Sequence, residues 1–579
     1  MVMRNKIVTI LICIVFASCL SENESAELIL RDYIEKKENQ FRHHDKKEML
    51  LFWDATISGN RSDYEKLAEL AVDFKEESET KKQSFQIDKF KKLDQKVFSD
   101  KKDLDFLSKI KKSNIITDSI LARQLDIIYL KILGGEFDQD KYKRLIETTM
   151  DILHYAQCYE LEIDGKLYSD CEIDSIRKTS PDHTFYEKVF EAKRKLVASM
   201  YPKCLELIKM RNDFARYCGF DNYYDFLLAS YEIKEVDIEK IIVELDTITL
   251  EGYESAKGVI DRFVSKRFDL EKDQLRPWHY TNEKYIFFPV KFSKILDDLF
   301  VEKDIVDITS RFYDDCDLGI RDVLDASMIN SDEMESKVNY FINIDPGKDM
   351  RILSNVNNNL QGLRVMMFLC SQAATFKNIS RDIPYLLIYP NPIISEGIGA
   401  FFTNDIIHYG WLDEYVGIAP KDTALMKIVS QHAYQIQKIT QSRTMLVKAE
   451  FEKKLYENPD QNLGELWWEL NSKYMNYNKP DVIQECDWAT DDYFLLMAGA
   501  TQTNLFAELV AAQLSNTIIN SYEELKNDSV KITKGEFVGD FMKKNIFKYG
   551  NVLPWNELIE QATGEKLTAK YYFESIVNS

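Results

Sequence analysis

Apolar residues recur at helical spacing through most of the chain from Glu27 onward, with charged residues between them. One such run comprises Tyr64, Leu67, Leu70, Ala71 and Phe74, and a period of three to four residues is typical of a helix that buries one face. Strand-like alternation is rare. The one convincing extended stretch covers residues 338–345 (VNYFINID), followed by a turn at 346–349 and a second stretch at 350–356. The pattern therefore predicts a mainly α fold with one small β-hairpin.

The first residues have the features of a bacterial lipoprotein signal peptide, which we place at residues 1–18. Arg4 and Lys6 supply the positive start, and residues 7–16 form an apolar run too short to span a bilayer comfortably. The run ends in Phe-Ala-Ser before Cys19, similar to a lipobox, so we expect Cys19 to become the lipidated N-terminus and residues 19–26 to form a short tether. The alternative is a plain secretory signal with an incidental cysteine. The first interpretation predicts a protein of the bacterial cell envelope, anchored by lipid to the outer membrane, the cell surface or the periplasmic face of a membrane.

Charge and cysteine content narrow the classes of function. The chain has 75 Lys and Arg against 96 Asp and Glu, a formal net charge of -21, which argues against a general nucleic-acid binder because phosphate neutralisation needs a basic face. Seven cysteines follow Cys19, and none lies in a C-x-x-C pair. We therefore expect mostly buried thiols, with one or two disulfides permitted but not indicated. No Gly- or Ser-rich linker divides residues 27–579, so we predict one large domain there.

Five segments in order along the chain resemble the helical gluzincin peptidases, the zinc-dependent enzymes of the angiotensin-converting-enzyme and thimet-oligopeptidase type and their bacterial relatives. They are LLFWDATISGN from residue 50, MRNDFARYCGFDNYYDFLL from residue 210, LRPWHY from residue 275, FINIDPGKDMRILSNV from residue 341, and KAEFEKKLYENPDQNLGELWWELNSKY from residue 448. The resemblance implies a two-lobed helical fold, with the hairpin just before the helix that carries zinc in active relatives.

The resemblance also shows which residues stand at the zinc-motif positions. Such enzymes carry H-E-x-x-H on a helix, because residues four apart lie on one face of the helix and two imidazoles can then coordinate one zinc ion. Here no two of the seven histidines are four residues apart. Aligning residues 381–390 (RDIPYLLIYP) with the corresponding family segment places Phe368 and Gln372 at the two histidine positions and Leu369 at the catalytic glutamate. Glu396, in SEGIGAFF, matches the glutamate that is the third ligand, although an ordinary glutamate in the first turn of a helix, stabilised by the helix dipole, is the preferred interpretation.

The positions that stabilise the transition state in the family are changed as well. Counting back from AELVAAQL at residues 507–514, the family's histidine falls on Tyr493, the paired tyrosines on Ala500 and Thr501, and the last tyrosine on Asn504. Other catalytic patterns, such as G-x-S-x-G and the Walker loop, are absent from the sequence. The sequence therefore predicts a pseudopeptidase that is not an enzyme and uses no cofactor, zinc included.

Three functions remain open from the sequence. The first is that the protein keeps the internal cleft of the peptidase scaffold and binds peptides or a protein partner there. The second is a surface protein that binds a host ligand, with the old cleft packed shut by residues such as Phe368 and Leu369. The third is a hydrolase with relocated chemistry, since a fold does not fix a function.

Overall fold

The computed structural model describes residues 22–80, 100–134, 137–280, 295–330, 339–491, 493–522 and 535–577. The predicted signal peptide and Cys19 lie outside the described residues. Residues 81–99 also lie outside the described residues. Most of the predicted hairpin and all the other predicted site residues lie within the described ranges.

Helices account for most of the structure, which confirms the mainly α prediction. Up to residue 325 they are α1 Glu22–Ser58, α2 Arg61–Thr80, α3 Asp100–Ser113, α4 Ser119–Ile132, α5 Gln139–Cys158, α6 Asp170–Thr179, α7 His183–Tyr217, α8 Tyr223–Ser230, α9 Glu235–Phe268, α10 Ile305–Asp315 and α11 Arg321–Asp325. Beyond it are α12 Leu360–Asn378, α13 Pro392–Asn404, α14 Tyr409–Tyr415, α15 Thr423–Glu457, α16 Leu463–Met475, α17 Tyr493–Leu496, α18 Ala500–Ser521, α19 Gly535–Asn545, α20 Trp555–Thr563 and α21 Lys570–Val577.

Two small sheets interrupt the helices. Strands β1 Leu161–Ile163 and β2 Lys166–Tyr168 form an antiparallel pair, and β3 Met328–Ile329, β4 Asn339–Asp345 and β5 Asp349–Ser354 form a second sheet in the order β3-β5-β4. In the second sheet β4 runs antiparallel to β5, with Phe341 opposite Ile352, and β3 runs parallel to β5. The predicted hairpin is therefore confirmed. Strand β3 could not be predicted from the sequence, because a strand of two residues is too short to show an alternation of apolar and polar positions.

The hairpin has a tight turn and packs against the helix that follows it. At the turn between β4 and β5, Gly347 has a φ of 70°, a left-handed conformation that favours glycine. On β4, the ring of Phe341 stacks on that of Phe376 in α12, with centroids 5.8 Å apart. The small sheet thereby supports α12, the helix on which the sequence places the former zinc motif.

The four helices that matter most for the site pack together through a large apolar core. α13 packs along both α12 and α18, and α15 also contacts α18. α12 begins after Asn359, whose side chain accepts a hydrogen bond from the Gly362 N–H at 2.7 Å, and α13 begins with Pro392 after a similar cap by Asn391. Such caps satisfy N–H groups that the first turn of a helix leaves without partners.

Two glycines in SEGIGAFF allow the close packing of α13. A Cβ at Gly397 would lie 2.7 Å from Cγ1 of Val510 in α18, and a Cβ at Gly399 would lie 2.3 Å from the ring of Phe368 in α12. Both distances are far inside normal van der Waals contact, so neither helix could come this close to α13 with a larger residue at these positions.

The cysteines agree with the prediction of buried thiols where they are described. Cys204, Cys218, Cys316, Cys370 and Cys486 are free and buried. Burial raises the pKa of the Cys204 and Cys218 thiols to about 12, because a thiolate loses its hydration there. These thiols are therefore protonated and unreactive at neutral pH.

Candidate functional site

Two facing helices present rows of partly exposed side chains within the core. On α12 the row is Arg364, Phe368 and Gln372, and on α13 it is Glu396, Ala400 and Asn404. Each row has a spacing of four residues and so lies along one face of its helix. The ring of Phe368 lies against Gly399, the residue before Ala400, so the two rows lie close to each other at this point.

Protein surrounds these side chains on nearly all sides although part of their surface stays accessible. Desolvation raises the pKa of Glu396 to about 7 and lowers the pKa of the Arg364 guanidinium to about 10. Both side chains are thus partly accessible and yet strongly desolvated. We use the name cleft for the region of the two rows together with Gln441 and Lys448 of α15 and Asn504 of α18, all of which are partly exposed.

The residues at the zinc-motif positions take different places around the cleft. The ring of Phe368 lies on Gly399, Leu369 is buried in the core at 4 % exposure, and Gln372 stays partly exposed in the cleft row. A phenyl and an aliphatic side chain have no donor atom for a metal, so these residues, even with Glu396, do not fit a zinc ion.

Two carboxyl groups and two tyrosines form the most strongly perturbed group at the cleft, which we call the carboxyl–tyrosine cluster: Tyr231, Glu396, Glu452 and Tyr493. Glu452 of α15 is fully buried, and burial raises its pKa to about 7. The pKa values of both tyrosines are raised, first by burial and then by neighbouring charges that include Glu452 and Glu396. Both tyrosines therefore lie within electrostatic reach of both carboxyl groups, and act as neutral hydrogen-bonding groups at physiological pH.

Hydrogen bonds hold this cluster in place. Glu452 accepts a bond from the Gly499 N–H at 2.7 Å, at the start of α18. The Asn504 amide donates to the Tyr493 hydroxyl at 2.9 Å, and Lys448 lies 4.1 Å from the centroid of the Tyr493 ring. Lys448 also pairs with Asp491 at 2.6 Å. The cluster is thus fixed by α15, α17 and α18 together.

Part of the chain is similar in sequence to a family of metallopeptidases. Residues 440–579 match the sequence model of the family described as carboxypeptidase Taq (M32) metallopeptidase. This segment contains Glu452, Lys448, Tyr493 and Asn504. No curated protein sequence matches the chain. Among solved structures, the crystal structure of BsuCP matches with a TM-score of 0.62 at 14% identity, over 96% of this chain and 98% of that one. The fold is that of a helical metallopeptidase.

These comparisons correct the sequence-based predictions in three respects. The general resemblance to helical metallopeptidases is supported, but the matched family is the M32 carboxypeptidases and not the angiotensin-converting-enzyme and thimet-oligopeptidase branch. The predictions that the chain is not an enzyme and that it uses no cofactor are contradicted, since the matched family consists of metallopeptidases, which work with a metal ion. Both predictions rested on the side chains at the motif positions of the family, the zinc-motif positions of α12 and the transition-state positions of α17 and α18, and those side chains say nothing of ligands or catalytic groups contributed by other residues.

The positions predicted for the transition-state groups are partly brought together by this metallopeptidase fold. Tyr493 and Asn504 are hydrogen-bonded to each other at the cleft. Thr501 is buried beside Tyr493, and Ala500 offers no polar group at the start of α18. Glu396 acts electrostatically on Tyr493, so the residue at the third-ligand position and the residue at the family's histidine position lie near each other.

Sequence reasoning missed Glu452, Tyr231 and Arg364. A signal for Glu452 existed, because it lies at helical spacing from Met445, Ala449 and Tyr456, all of which are buried in α15. A charged residue in an apolar stripe indicates either a buried ion pair or a functional group. Tyr231 and Arg364 had no comparable signal, since their positions depend on contacts between segments far apart in sequence.

A buried ion pair lies beside Asn404. Lys438 of α15 and Glu508 of α18 form it at 2.5 Å, and Glu508 also accepts bonds from Gln441 at 2.8 Å and Asn404 at 3.2 Å. With both of its oxygens engaged, Glu508 has little capacity left for further donors.

One group of side chains elsewhere has the composition of a metal site. His44, Asp45 and Glu48 of α1 have ligand atoms within 4.8 Å of one another, and they are the only group of three histidine, cysteine or acidic residues that does so among the described residues. The hydroxyl of Tyr385 donates to Asp45 at 2.9 Å, and Lys131 lies 3.8 Å from the same carboxylate. A cation bound there would have to compete with the charge of Lys131.

Proposed function

We propose that this chain is a lipid-anchored protein of the bacterial cell envelope that binds peptides in the cleft between α12, α13, α15 and α18. The observation that carries the proposal is the pair of partly exposed rows inside an otherwise buried core, in a fold shared with peptidases. A recess lined by a few polar groups and flanked by apolar walls is the usual form of a ligand site.

The groups lining the cleft suit a peptide backbone. Gln372, Gln441 and Asn504 carry amide groups that both donate and accept hydrogen bonds, as the backbone of an extended peptide does. Phe368 and Ala400 add apolar surface. The alternative in which Phe368 and Leu369 fill the cleft is disfavoured, because Leu369 lies in the core and Phe368 lies on Gly399, while Glu396 stays partly accessible.

Peptide hydrolysis is a second candidate function, favoured by the two carboxyl groups. A pKa of about 7 at Glu396 and Glu452 means that each group is partly protonated and partly ionised at neutral pH. Such a group can give or take a proton during a reaction, which is the requirement for a general acid or base. Glu396, which is partly exposed in the cleft, is the better placed of the two to reach a substrate, and buried Glu452 would act through its neighbours.

Peptide binding can be tested by filling the cleft. The purified mature chain is titrated against a fluorescein-labelled alanine-rich octapeptide, and fluorescence anisotropy measures binding. Ala400→Trp places an indole in the cleft row and should abolish binding. The control is Ala326→Trp at an exposed position after α11. Equal affinity in both variants, or no binding by the unmodified chain, would contradict the proposal.

Hydrolysis is measured on the same peptide by mass spectrometry, with and without added divalent metal. Glu396→Gln should remove cleavage that depends on this cluster, because an amide neither gives nor takes a proton at neutral pH. Cleavage that survives Glu396→Gln would place the reaction elsewhere.

The lipid anchor has its own test. Cys19→Ser should release the protein from the membrane fraction and into the aqueous phase on detergent partitioning, since Cys19 is the residue expected to carry the lipid. No helix among the described residues is both long and apolar enough to cross a membrane. Unchanged partitioning of the Cys19→Ser protein would remove the lipoprotein interpretation.

A further inference from the structure

The outer face of α1 exposes two large apolar side chains close to the start of the helix. On its inner face Leu30 and Ile34 are buried in the core, whereas Leu28 and Ile29 are 62 % and 51 % exposed. A single exposed apolar residue on a protein surface is ordinary, but adjacent ones on a surface helix indicate a face that meets something other than water.

A third exposed apolar residue lies at the same end of the molecule. Glu27 of α1 accepts hydrogen bonds from the N–H and the hydroxyl of Thr117, at 2.6 and 2.7 Å. The next residue, Asp118, forms an ion pair with Arg31 of α1. These contacts hold the start of α4 beside the start of α1, and Ile120 in the first turn of α4 is 41 % exposed. We call the three side chains the apolar patch: Leu28, Ile29 and Ile120.

The length of chain between Cys19 and α1 keeps this end of the molecule near the expected lipid. The helix begins at Glu22, so residues 22–26, which the sequence places in the tether, already belong to it. Three residues span at most about 11 Å even when fully extended, and the six residues from Glu22 to Leu28 add about 9 Å along the helix. The backbone of Leu28 therefore lies within roughly 20 Å of that of Cys19, a distance similar to the thickness of one bilayer leaflet.

We propose that the apolar patch inserts into the surface of the phospholipid bilayer to which the chain is anchored. The proposal rests on the proposed lipid anchor and adds to it a defined contact surface. Acyl chains on Cys19 would hold the protein at the membrane but leave its orientation free, whereas apolar side chains that enter the interface fix the start of α1 against the lipid.

The charges beside the patch determine which lipid suits it. Asp32, one turn after Leu28, is paired with Lys36 at 2.5 Å, so this carboxylate brings its own counter-charge to the membrane surface. Glu24, one turn before Leu28, is exposed and acidic. We therefore expect contact through the apolar side chains, with zwitterionic lipids preferred over anionic ones, because anionic headgroups repel carboxylates.

The experiment measures the contact between the patch and lipid directly. The lipidated chain with Leu28→Cys is labelled with an NBD fluorophore and reconstituted into phosphatidylcholine vesicles, with and without doxyl-labelled lipid that quenches fluorophores in the acyl region. The control is Val243→Cys on α9, an apolar position of matching exposure at 64 %. We expect blue-shifted emission and several-fold stronger quenching at position 28 than at position 243. The chain without an added cysteine gives the background, since the cysteines whose side chains the structure describes are buried.

A second variant tests whether the patch acts as a unit. The label is moved to Ile120→Cys, and Leu28→Gln with Ile29→Gln is added. Quenching at position 120 should fall to near the level at position 243, while the chain still floats with the vesicles because Cys19 carries the acyl chains. Leu425→Gln with Ile428→Gln, an equally exposed apolar pair at 50 % and 58 % on α15, should leave the quenching at position 120 unchanged.

The outcomes separate this proposal from the lipid anchor. If the chain floats with the vesicles but position 28 is quenched no more than position 243, the patch does not meet lipid and the anchor stands. A blue shift at position 28 without quenching by doxyl lipid would show that protein covers the patch, which also overturns the proposal. If the chain with intact Cys19 does not float with the vesicles, the anchor itself is wrong, and the membrane contact that rests on it is wrong as well.

Discussion

Glu452 offers a sharp test of the electrostatics at the cleft, through the dependence of stability on pH. In the folded chain burial raises its pKa from the ordinary 4.5 to about 7. Between these two pH values the folded state therefore binds more protons at this residue than the unfolded state does. The free energy of unfolding must then fall as the pH rises from about 4.5 to 7, and the loss is complete above pH 7.

The size of the effect follows from the shift. A difference of roughly 2.5 units at about 1.36 kcal/mol each amounts to about 3 kcal/mol of stability that is present at pH 4.5 and absent at pH 8. Glu452→Gln cannot ionise, so it escapes this loss. Relative to the unmodified chain it should gain about 2–3 kcal/mol between pH 5 and pH 8. For a domain of this length that corresponds to about 2–3 °C in melting temperature.

The assay is a series of melting curves by intrinsic fluorescence at pH 5, 6, 7 and 8. The glutamine can still accept the bond from the Gly499 N–H, and any weakening of that bond shifts all four melting temperatures alike. The comparison between pH values therefore isolates the ionisation of Glu452. Glu457→Gln, an exposed glutamate five residues later on α15, is the matched control and should show no pH-dependent gain. An equal offset of Glu452→Gln at every pH, or a larger advantage at pH 5 than at pH 8, would refute the reasoning.

Two further predictions concern packing and the buried ion pair. Gly399→Ala should destabilise the protein by about 1–3 kcal/mol, because its Cβ would lie 2.3 Å from the ring of Phe368. Adding Phe368→Ala should recover much of that loss, as measured by urea denaturation. An equal loss of stability in the single and the double variant would show that this contact is not the cause. Lys438→Met should lower the stability by about 3–5 kcal/mol, because it leaves the buried Glu508 without its cation. The double variant with Glu508→Met should be more stable than Lys438→Met alone in thermal melts, and a further loss would contradict this account.

The parts of the fold that the sequence predicted are those governed by local pattern. Helical spacing and the hairpin turn around Gly347 depend on neighbouring residues, so α12 and the β4–β5 pair could be foreseen. The pairing of β3 with β5 could not, because it joins a two-residue strand to a partner more than twenty residues away. Among the site positions, the resemblance named Glu396 as a possible third ligand and Tyr493 and Asn504 as changed transition-state positions, and the structure brings Asn504 into a hydrogen bond with Tyr493.

What the sequence could not supply is the burial of individual charges. In the sequence, Arg364, Lys438 and Glu452 look like ordinary charged residues of amphipathic helices, which usually direct such residues to solvent. Only the packing of α12, α13, α15 and α18 determines that these three are desolvated. The same limit explains why the side chains at the family's zinc-motif and transition-state positions were a poor basis for predicting that the chain is not an enzyme and uses no metal.

The charges around the cleft favour a ligand site over a closed and merely structural core. A buried ion pair such as Lys438–Glu508 compensates itself, and a core could contain it without any function. Arg364 and Glu452 are different, because neither has an ion-pair partner among the described residues and each is strongly desolvated. An apolar residue at either position would remove that cost. Arg364 stands in the α12 row and Glu452 in the carboxyl–tyrosine cluster, one cationic and one able to exchange a proton near neutral pH, and such uncompensated groups beside a set of partly exposed polar side chains favour a site that meets a ligand.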